Sequence, residues 1–323
     1  MYSFKELSKK FNDYLSEYSY PDTPAHLYEP VKYIMSLGGK RIRPSLVLAS
    51  RNLFGDDIEY AFEAAMAVEV FHNFSLVHDD IMDEAAIRRG KEATHIAYDT
   101  NSAILSGDVM LIMSYRILEK YKSSFFRLMK LFSRTAQEVC DGQRMDMDFE
   151  ELQIVSIEDY IKMITLKTSV LIAAALGLGG IISNASNKDI EHLYEFGKNM
   201  GIAFQIQDDI LDSFGDQELV GKKIGGDIIQ KKKTYLYLKA LELLSEKEAE
   251  RLKRLFVQKD LSDDELVQEV MDLYKRAHVL VHAQELKLVY HQLALSHLDA
   301  ISIENDRKKI LRDFSNELLS RQF

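Results

Sequence analysis

The positions of the prolines constrain the fold of this 323-residue chain more than any other feature. All four lie within the first 44 residues, and residues 45–323 contain none. Since proline interrupts helices and also populates the turns between strands, so long a proline-free stretch is typical of helices joined by short loops. Apolar residues recur in it at helical spacing, as between Ala61 and Phe71, without sustained strand alternation. The sequence therefore predicts an all-α chain, with loops near residues 55–57, 88–91, 179–188 and 215–233.

Composition narrows the class of protein further. Apolar residues make up 46% of the chain, which is enough for a large core and excludes a disordered protein. No Gly-, Ser- or Pro-rich linker follows residue 44, so we expect a single domain over residues 1–323. The net charge of −10 argues against a nucleic-acid-binding protein.

The cellular setting is predicted from the cysteine content and the apolar runs. Cys140 is the only cysteine, which excludes an internal disulfide and a cysteine-built zinc site and favours a reduced, cytoplasmic location. The longest apolar run, Val170–Ile182, has 13 residues and is too short to cross a bilayer. We therefore expect no transmembrane segment.

The first candidate site is the segment His78-Asp79-Asp80-Ile81-Met82-Asp83, which follows an apolar helical run. On a helix, Asp79 and Asp83 are i,i+4 neighbours, and Asp80 and Asp83 are i,i+3 neighbours. A counter-cation would offset the repulsion between these charges, and oxygen ligands of this kind suit Mg²⁺ or Mn²⁺. A solvated acidic helix end is the alternative interpretation of this motif taken alone.

The same Asp-Asp-x-x-Asp spacing recurs at Asp208, Asp209 and Asp212, again at the end of an apolar stretch. Because charged residues are only about a quarter of average composition, two copies of the pattern are far rarer by chance than one. Facing helices of a bundle are where carboxylate metal sites are built. The two motifs together therefore predict bound divalent cations.

The third candidate site is basic, and it spans Gly38-Gly39-Lys40-Arg41-Ile42-Arg43-Pro44. Pro44 fits the first position of a helix, where the helix dipole disfavours cations. Three cations at this position are favourable if they bind an anion together. The paired glycines would let the backbone approach a phosphate closely. Further basic islands, at 88–91, 222–223 and 231–233, follow the aspartate motifs. Solvated loop charge, or cations at a helix C-terminus, is the alternative for these islands.

These motifs together specify a ligand. Two aspartate clusters require divalent cations, and several basic islands require a polyanion that is small, because the chain is acidic overall. A metal-bridged diphosphate meets both requirements. The aspartates follow apolar side chains such as Phe71, Phe74 and Ile202, so the ligand should also have an apolar body. A diphosphate head on a hydrocarbon tail is the simplest answer.

With these motifs in place, the chain resembles the trans-type isoprenyl diphosphate synthases, the family of farnesyl and geranylgeranyl diphosphate synthases. The matching segments are GGKRIRP at 38–44, HNFSLVHDDIMDEAAIRRGK at 72–91, ILSGD at 104–108, GQRMDM at 142–147, KT at 167–168, MGIAFQIQDDILDSFGD at 200–216 and GKKIGGDIIQKKKT at 221–234. The resemblance implies an all-α bundle of the isoprenoid synthase type around a deep central cavity, assembled as a homodimer. This chain differs from the family at Glu92-Ala93, where the family has Pro-Thr. The difference affects how the loop after Arg89 closes over the site.

The resemblance also implies roles for individual residues. Mg²⁺, as three ions that Mn²⁺ can replace, would be bound directly by Asp79, Asp83 and Asp208, with Asp80, Asp209 and Asp212 completing the motifs. Asp146 would support Lys167 and the metal shell. Isopentenyl diphosphate would be bound by Lys40, Arg43, His72 and Arg89, and the allylic diphosphate by Arg88, Lys167, Lys222 and Lys232. Thr168 and Gln205 would face the developing carbocation.

The implied reaction begins when the allylic carbon–oxygen bond ionises. The double bond of isopentenyl diphosphate then attacks the cation, and the released diphosphate takes the proton. Product length would be set one turn below Asp79, at Phe74 and Ser75, with Phe71 a further turn down. A single aromatic there resembles the geranylgeranyl (C20) type, with the farnesyl (C15) type as the alternative. A class I terpene cyclase and a non-catalytic prenyl synthase subunit are two rival functions, although both aspartate motifs are intact.

Overall fold

The computed structural model describes residues 2–152, 154–215, 224–258 and 260–320, and the regular structure in them is almost entirely helical. The helices are α1 (Phe4–Glu17), α2 (Ala25–Ser36), α3 (Ile42–Phe54), α4 (Phe62–Met82), α5 (Thr94–Ala97), α6 (Thr100–Ile117), α7 (Phe125–Glu151), α8 (Ile157–Ile164), α9 (Val170–Ile182), α10 (Asn187–Phe214), α11 (Gly226–Ile229), α12 (Tyr235–Leu243), α13 (Glu246–Leu255), α14 (Asp263–Arg276), α15 (Val279–Ala300) and α16 (Asn305–Ser320). The prediction of an all-α chain is confirmed.

Local sequence signals fix where several helices begin. At α1, α8, α13 and α14, a serine caps the helix and exchanges hydrogen bonds with an acidic residue three positions later. At α1, for example, Ser3 N donates to Glu6 at 2.7 Å. Such capping boxes satisfy backbone donors that would otherwise have no partner at a helix start.

Two segments differ from the loops that the sequence predicts. The expected loop at 88–91 is an antiparallel hairpin of β1 (Ile87–Arg88) and β2 (Lys91–Glu92). Its two-residue turn has positive φ at Arg89 (53°) and Gly90 (75°), as a type I′ turn requires. The loop expected from Gly179 is instead helical up to Ile182, because Gly179 lets α9 approach α3 closely. A Cβ on Gly179 would lie 2.5 Å from the carbonyl oxygen of Val47.

Contacts divide the chain into two compact units. The first comprises 1–133, 174–194 and 301–311. In this unit α4 packs against α3 and α6, while α1 packs on α3 and α2 on α6. The buried side of α4 from Ala64 to Val77 is apolar apart from Glu69 and Asn73, which is why α4 is the central helix of the unit.

The second unit comprises 134–173, 195–300 and 312–323. Its core is built from α8, α10, α12, α14 and α15, with Tyr160, Ile206 and Tyr274 among its buried side chains. Helix α12 packs against α8, α14 and α15. The single domain expected over 1–323 stays a prediction.

Within the part of the chain that the structure describes, one segment is apolar enough to cross a membrane by length and composition. It is Ile157–Ile182, whose most apolar window has a mean hydropathy of 1.7 and is 78% buried within the protein. It forms because α8 and α9 are joined without a break through a short π-helical segment, Thr165–Ser169. Burial of this extent is what the core helix of a soluble protein has.

Candidate active site

The first aspartate motif lies at the C-terminal end of α4. Asp79 and Asp80 are in the last turn, and Asp83 is the cap residue whose N–H donates to the Asp79 carbonyl at 2.8 Å. A helix dipole is negative at this end, and the last turn of α4 contains no basic residue. Three carboxylates are therefore unfavourable here unless cations from elsewhere compensate them.

Arg88 on the hairpin supplies part of this compensation. Its Nε donates to Asp80 Oδ1 at 2.8 Å, its Nη2 also contacts that oxygen, and Nη2 lies 3.7 Å from Asp79 Oδ2. Burial lowers the pKa of Arg88, but the hydrogen bond and charge of Asp80 outweigh burial and raise it overall. Asp80 is fully buried, and its Oδ2 accepts no hydrogen bond from the described residues. A buried carboxylate oxygen that has no hydrogen-bond donor is suited to binding a cation.

The hairpin also explains how the departure at Glu92-Ala93 is accommodated. The Ala93 N–H donates to the Ala86 carbonyl at 2.9 Å, and the Tyr33 hydroxyl donates to the Glu92 carbonyl at 2.8 Å. Ala93 is fully buried at the start of α5. The base of the hairpin is therefore closed by backbone hydrogen bonds that do not need Pro-Thr.

In the basic motif, the structure separates Arg41 from its neighbours. Arg41 is only 6% exposed, forms an ion pair with Glu69, and donates to the carbonyls of Met35 (2.9 Å) and Leu37 (2.7 Å). The expectation that all three cations of this motif surround an anion is therefore corrected, because Arg41 holds the loop before α3. Pro44 is the third residue of that helix, not the first. Lys40 lies exposed on the loop.

Arg43 and His72 lie side by side, as the predicted isopentenyl diphosphate site requires. Arg43 Nη1 is 3.1 Å from His72 Nε2. Burial, together with the charge of Arg89, lowers the pKa of Arg43 to about 10, although Glu69 opposes the shift. Burial and the adjacent guanidinium groups hold the pKa of His72 well below its usual range. His72 is thus neutral, and its Nε2 accepts the hydrogen bond from Arg43, which cannot accept one.

The residues predicted to set product length form an aromatic column on α4. The Phe74 ring lies 5.4 Å from the Phe71 ring and 5.0 Å from that of His78, and Phe71 contacts Phe132 on α7 at 5.4 Å. Phe71 and Phe74 are buried. The Ser75 hydroxyl donates to the His72 carbonyl at 2.8 Å, which keeps this small side chain against its own helix.

The second aspartate motif lies in the last turns of α10, again at the negative end of a helix dipole and without a basic residue in the last turn. Asp208 is exposed, whereas Asp209 is only 4% exposed. Asp212 Oδ2 accepts from the Asp227 N–H at 2.9 Å, and its carbonyl accepts from the Gly225 N–H at 2.7 Å. Asp212 therefore fixes the chain around Gly225 and brings Asp227 to the motif.

Asp209 is the centre of a hydrogen-bonded group in the second unit. The Tyr160 hydroxyl donates to Asp209 Oδ2 at 2.5 Å, and Gln205 Nε2 donates to Oδ1 at 3.2 Å. The Thr168 hydroxyl donates to Gln205 Oε1 at 3.4 Å. Burial and the charge of Asp227 raise the pKa of Asp209 well above its usual range, against the effect of these hydrogen bonds. Burial and the charge of Asp212 raise the pKa of Asp227 to about 6.

Lys167 and Thr168 lie in the π-helical segment Thr165–Ser169, and Lys167 Nζ contacts Asp146 Oδ2 at 2.6 Å. Single π turns within α-helices occur frequently at functional sites. A cavity of about 130 Å³ in this unit is lined by six of the predicted site residues, Asp146, Lys167, Thr168, Gln205, Asp209 and Lys232. Apolar side chains, Phe149, Met163 and Ile164, form part of its wall.

The three lysines at 231–233 do not share one role. Lys233 Nζ donates to the carbonyls of Phe149 (2.5 Å) and Leu152 (2.7 Å) at the end of α7, and Lys231 Nζ donates to the Gln258 carbonyl (2.5 Å). These two lysines have the structural role of cations at backbone carbonyls. Among the described residues, Lys232 makes no side-chain hydrogen bond, and its charge lowers the pKa of Asp227. Lys222 lies outside the described residues.

Two residues of this cavity, Tyr160 and Asp227, are missing from the sequence prediction. Tyr160 precedes Lys167 by seven residues, two helical turns, which is the one sequence signal that could have placed both on one face. Asp227 follows the glycine pair 225–226, and the hydrogen bonds from the Gly225 and Asp227 N–H groups to Asp212 bring it to the motif.

The donor set fits Mg²⁺, although no three His, Cys, Asp or Glu side chains converge as a ready-made metal site within the described residues. Mg²⁺ keeps several waters and is usually bound by one or two carboxylates together with substrate phosphates. The buried Oδ2 of Asp80, and the pKa of Asp209, which burial and the charge of Asp227 raise, indicate negative charge in both motifs that a nearby Mg²⁺ would compensate.

Comparisons with known proteins identify the family of this chain. The family described as Polyprenyl synthetase matches residues 24–274. A short chain isoprenyl diphosphate synthase of Methanocaldococcus jannaschii is 36% identical over 98% of this chain and 95% of its own. A geranylgeranyl diphosphate synthase of Sulfolobus acidocaldarius is 35% identical over 94% of this chain and 92% of its own. A crystal structure of a geranylgeranyl pyrophosphate synthase is 45% identical, with a TM-score of 0.95 and complete coverage of both chains.

Proposed function

Because this chain belongs to the polyprenyl synthetase family, we propose that it condenses isopentenyl diphosphate with an allylic diphosphate and that geranylgeranyl diphosphate is its product. The observation that carries the proposal is the cavity of the second unit, where Lys167, Thr168, Gln205 and Asp209 meet beside an apolar wall. The names of the relatives support a C20 product.

Isopentenyl diphosphate is held by the basic residues of the first unit, Lys40, Arg43, His72 and Arg89. Neutral His72 donates through Nδ1, because its Nε2 accepts from Arg43. Arginine forks suit phosphate oxygens in two-point contacts, which orients the substrate as well as binding it. Orientation matters, since the double bond must attack in line.

The allylic diphosphate is held by Lys167 and Lys232, and the role expected of Arg88 towards it stays a prediction. Lys167 is oriented by Asp146 in the π-helical turn, so its ammonium group is in place before charge develops on the leaving diphosphate. Thr168 and Gln205 direct oxygen atoms at the carbocation. The apolar wall excludes water, which would otherwise quench the cation.

Mg²⁺ would be held by the carboxylates of each aspartate motif, directly by Asp79, Asp83 and Asp208. When bound, it supplies Lewis-acid stabilisation of the leaving diphosphate, and we propose three ions, with Mn²⁺ as a substitute. The Asp80 carboxylate accepts hydrogen bonds from Arg88, and the Asp209 carboxylate accepts them from Tyr160 and Gln205. These two aspartates therefore orient the motifs.

The proposal is tested by incubating the protein with isopentenyl diphosphate, Mg²⁺ and each allylic primer in turn, and by sizing the dephosphorylated products. We expect linear C20 products. A cyclic hydrocarbon would instead identify a terpene cyclase. No condensation with any primer would identify a non-catalytic subunit.

The aromatic column predicts how product length changes. Phe74→Ala should lengthen the products, because it opens space one turn below Asp79, and Ser75→Phe should shorten them towards C15. Chromatography of the dephosphorylated products measures both. Phe256→Ala is a matched control, since Phe256 is 8% exposed like Phe74 but packs on Tyr237 in the other unit. Equal length distributions in Phe74→Ala and the wild type would place the floor elsewhere.

We also propose a cytoplasmic location, which the single cysteine favours, and a homodimer, because α6 presents apolar side chains to solvent. Leu105 and Ile112, seven residues apart on one face, are 59% and 58% exposed, and Phe126 at the start of α7 is 83% exposed. Apolar side chains exposed on one helix face, as Leu105 and Ile112 are, are typical of association surfaces.

Leu105→Glu should therefore convert the dimer to a monomer, because it would bury an unpaired charge in the interface. Sedimentation velocity measures the change, and Val257→Glu, at a position that is 77% exposed in the other unit, is the control. A wild-type monomer, or a Leu105→Glu dimer as tight as the wild type, would refute this interface.

A further inference from the structure

Glu69 is a buried carboxylate that the proposed chemistry does not use. It lies on α4, ten residues before Asp79, and is only 1% exposed. A buried carboxylate is costly unless it is paired and hydrogen-bonded. Glu69 meets both conditions through an ion pair with Arg41 and a hydrogen bond from Asn73 Nδ2, which lies 2.9 Å from its Oε1.

The two contacts of its neighbour Asn73 fix how that amide is turned. Asn73 is fully buried one helical turn after Glu69, and its Nδ2 donates both to Glu69 Oε1 and, at 2.8 Å, to the Glu69 carbonyl. The opposite orientation would place the amide oxygen against two acceptors, which is unfavourable. The Asn73 Oδ1 therefore points away from Glu69.

That oxygen accepts a hydrogen bond from Arg89 Nη1 at 3.3 Å. The same Nη1 donates to the Leu37 carbonyl at 3.3 Å, and the guanidinium lies against Gly39, where an added Cβ would be 3.3 Å from Cζ. Arg89 lies in the two-residue turn of the hairpin, and its long side chain extends from there to these contacts on Leu37, Gly39 and Asn73. Its direction depends on these contacts.

The charges around Arg89 make such support necessary. Four guanidinium groups, those of Arg41, Arg43, Arg88 and Arg89, are close enough to His72 to depress its pKa. They repel one another in the absence of an anionic substrate. Glu69 opposes this repulsion: burial lowers the pKa of Arg43 and of Arg89, and the negative charge of Glu69 counters that shift in both.

From this arrangement we infer that Asn73 is a positioning residue for Arg89, and that Glu69 turns the Asn73 amide so that it can hold the guanidinium. Affinity for isopentenyl diphosphate then depends on two buried side chains that do not contact it. The inference rests on the proposed function, in which Arg89 binds that substrate.

The test is Asn73→Ala in the full chain. We expect the Kd and KM for isopentenyl diphosphate to rise roughly tenfold, the loss of one hydrogen bond to a charged group, with the KM for the allylic substrate within about twofold of wild type. Calorimetric titration with isopentenyl diphosphate gives Kd without turnover, and steady-state assays give the KM values. The matched control is Asn199→Ala, because Asn199 is also a buried helical asparagine that donates to the carbonyl four residues earlier, at 2.7 Å.

A double-mutant cycle separates positioning from a general structural effect. In an Arg89→Ala background, Asn73→Ala should raise the Kd no further, since its partner is already gone. Equal effects of Asn73→Ala in both backgrounds would overturn the inference. If Asn73→Ala does not fold, Asn73→Ser removes the contact with less loss of packing, and the same increase is expected.

Failure of the inference and failure of the proposed function give different results. If the wild type condenses its substrates and Arg89→Ala raises the Kd for isopentenyl diphosphate, but Asn73→Ala matches the wild type, only the positioning role is refuted. If the wild type neither binds nor condenses isopentenyl diphosphate, the proposed function fails first.

Discussion

Asp79→Ala and Asp208→Ala are each expected to lower kcat by roughly 10²-fold or more, which is the cost of losing a group that stabilises developing charge. Both aspartates lie at the negative end of a helix dipole, in α4 and α10, where a carboxylate is unfavourable without a bound cation. EDTA should abolish turnover, and Mg²⁺ or Mn²⁺ should restore it. Steady-state assays at saturating concentrations of both substrates measure these effects.

Asp148→Ala is a suitable control, because Asp148 is an aspartate of α7 whose carboxylate pairs with Arg144 on the same helix. Its kcat should stay near that of the wild type. Thermal melts add a readout that does not need turnover. Mg²⁺ with inorganic diphosphate should raise the melting temperature of the wild type more than that of either aspartate mutant. A kcat near that of the wild type in both mutants would refute the assignment of these aspartates as metal ligands.

The helices and the aspartate motifs could be predicted because their signals are local. The absence of proline after Pro44 and the helical spacing of apolar residues act over a few turns, and each motif is read within five residues. The cluster of basic residues around His72 could be predicted equally well, because Arg43 and Arg89 belong to segments that match the family.

The remaining features depend on contacts between distant residues. Arg41 looks like Lys40 and Arg43 in the sequence, and only its burial against Glu69, 28 residues away, gives it a structural role. Tyr160 reaches Asp209 across 49 residues. The glycines at 179 and 180 suggest a loop by composition, but they permit close packing of α9. Tertiary contacts of this kind leave no periodic trace in the sequence.

The second large effect is expected at Gly142, which carries no charge and no side chain. Gly142 lies on α7 against the π-helical turn that carries Lys167. A Cβ on it would be 2.2 Å from the Lys167 nitrogen and 2.6 Å from the Leu166 carbonyl carbon. These are backbone atoms, so no rotation of a side chain relieves the clash. The π-helical turn cannot shift freely away from Gly142, because its Ser169 packs against Gly201 of α10.

Gly142→Ala should therefore move Lys167 away from Asp146 and lower kcat by about 10²-fold, the effect of a displacement on the order of 1 Å at a reacting centre. Overpacking should also cost about 1–3 kcal/mol of unfolding free energy, measurable by urea denaturation. Gly55→Ala is the control, because a Cβ there meets only the flexible Arg51 side chain at 3.9 Å.

The two measurements together identify the cause of the loss. If folded Gly142→Ala protein retains the kcat of the wild type under conditions where it is stable, the position of the π-helical turn does not govern Lys167. If kcat falls while the Kd for isopentenyl diphosphate is unchanged, the defect is confined to the turn, because Arg43, His72 and Arg89 belong to a separate unit. We expect the second result, since the clash involves the backbone of Lys167 itself.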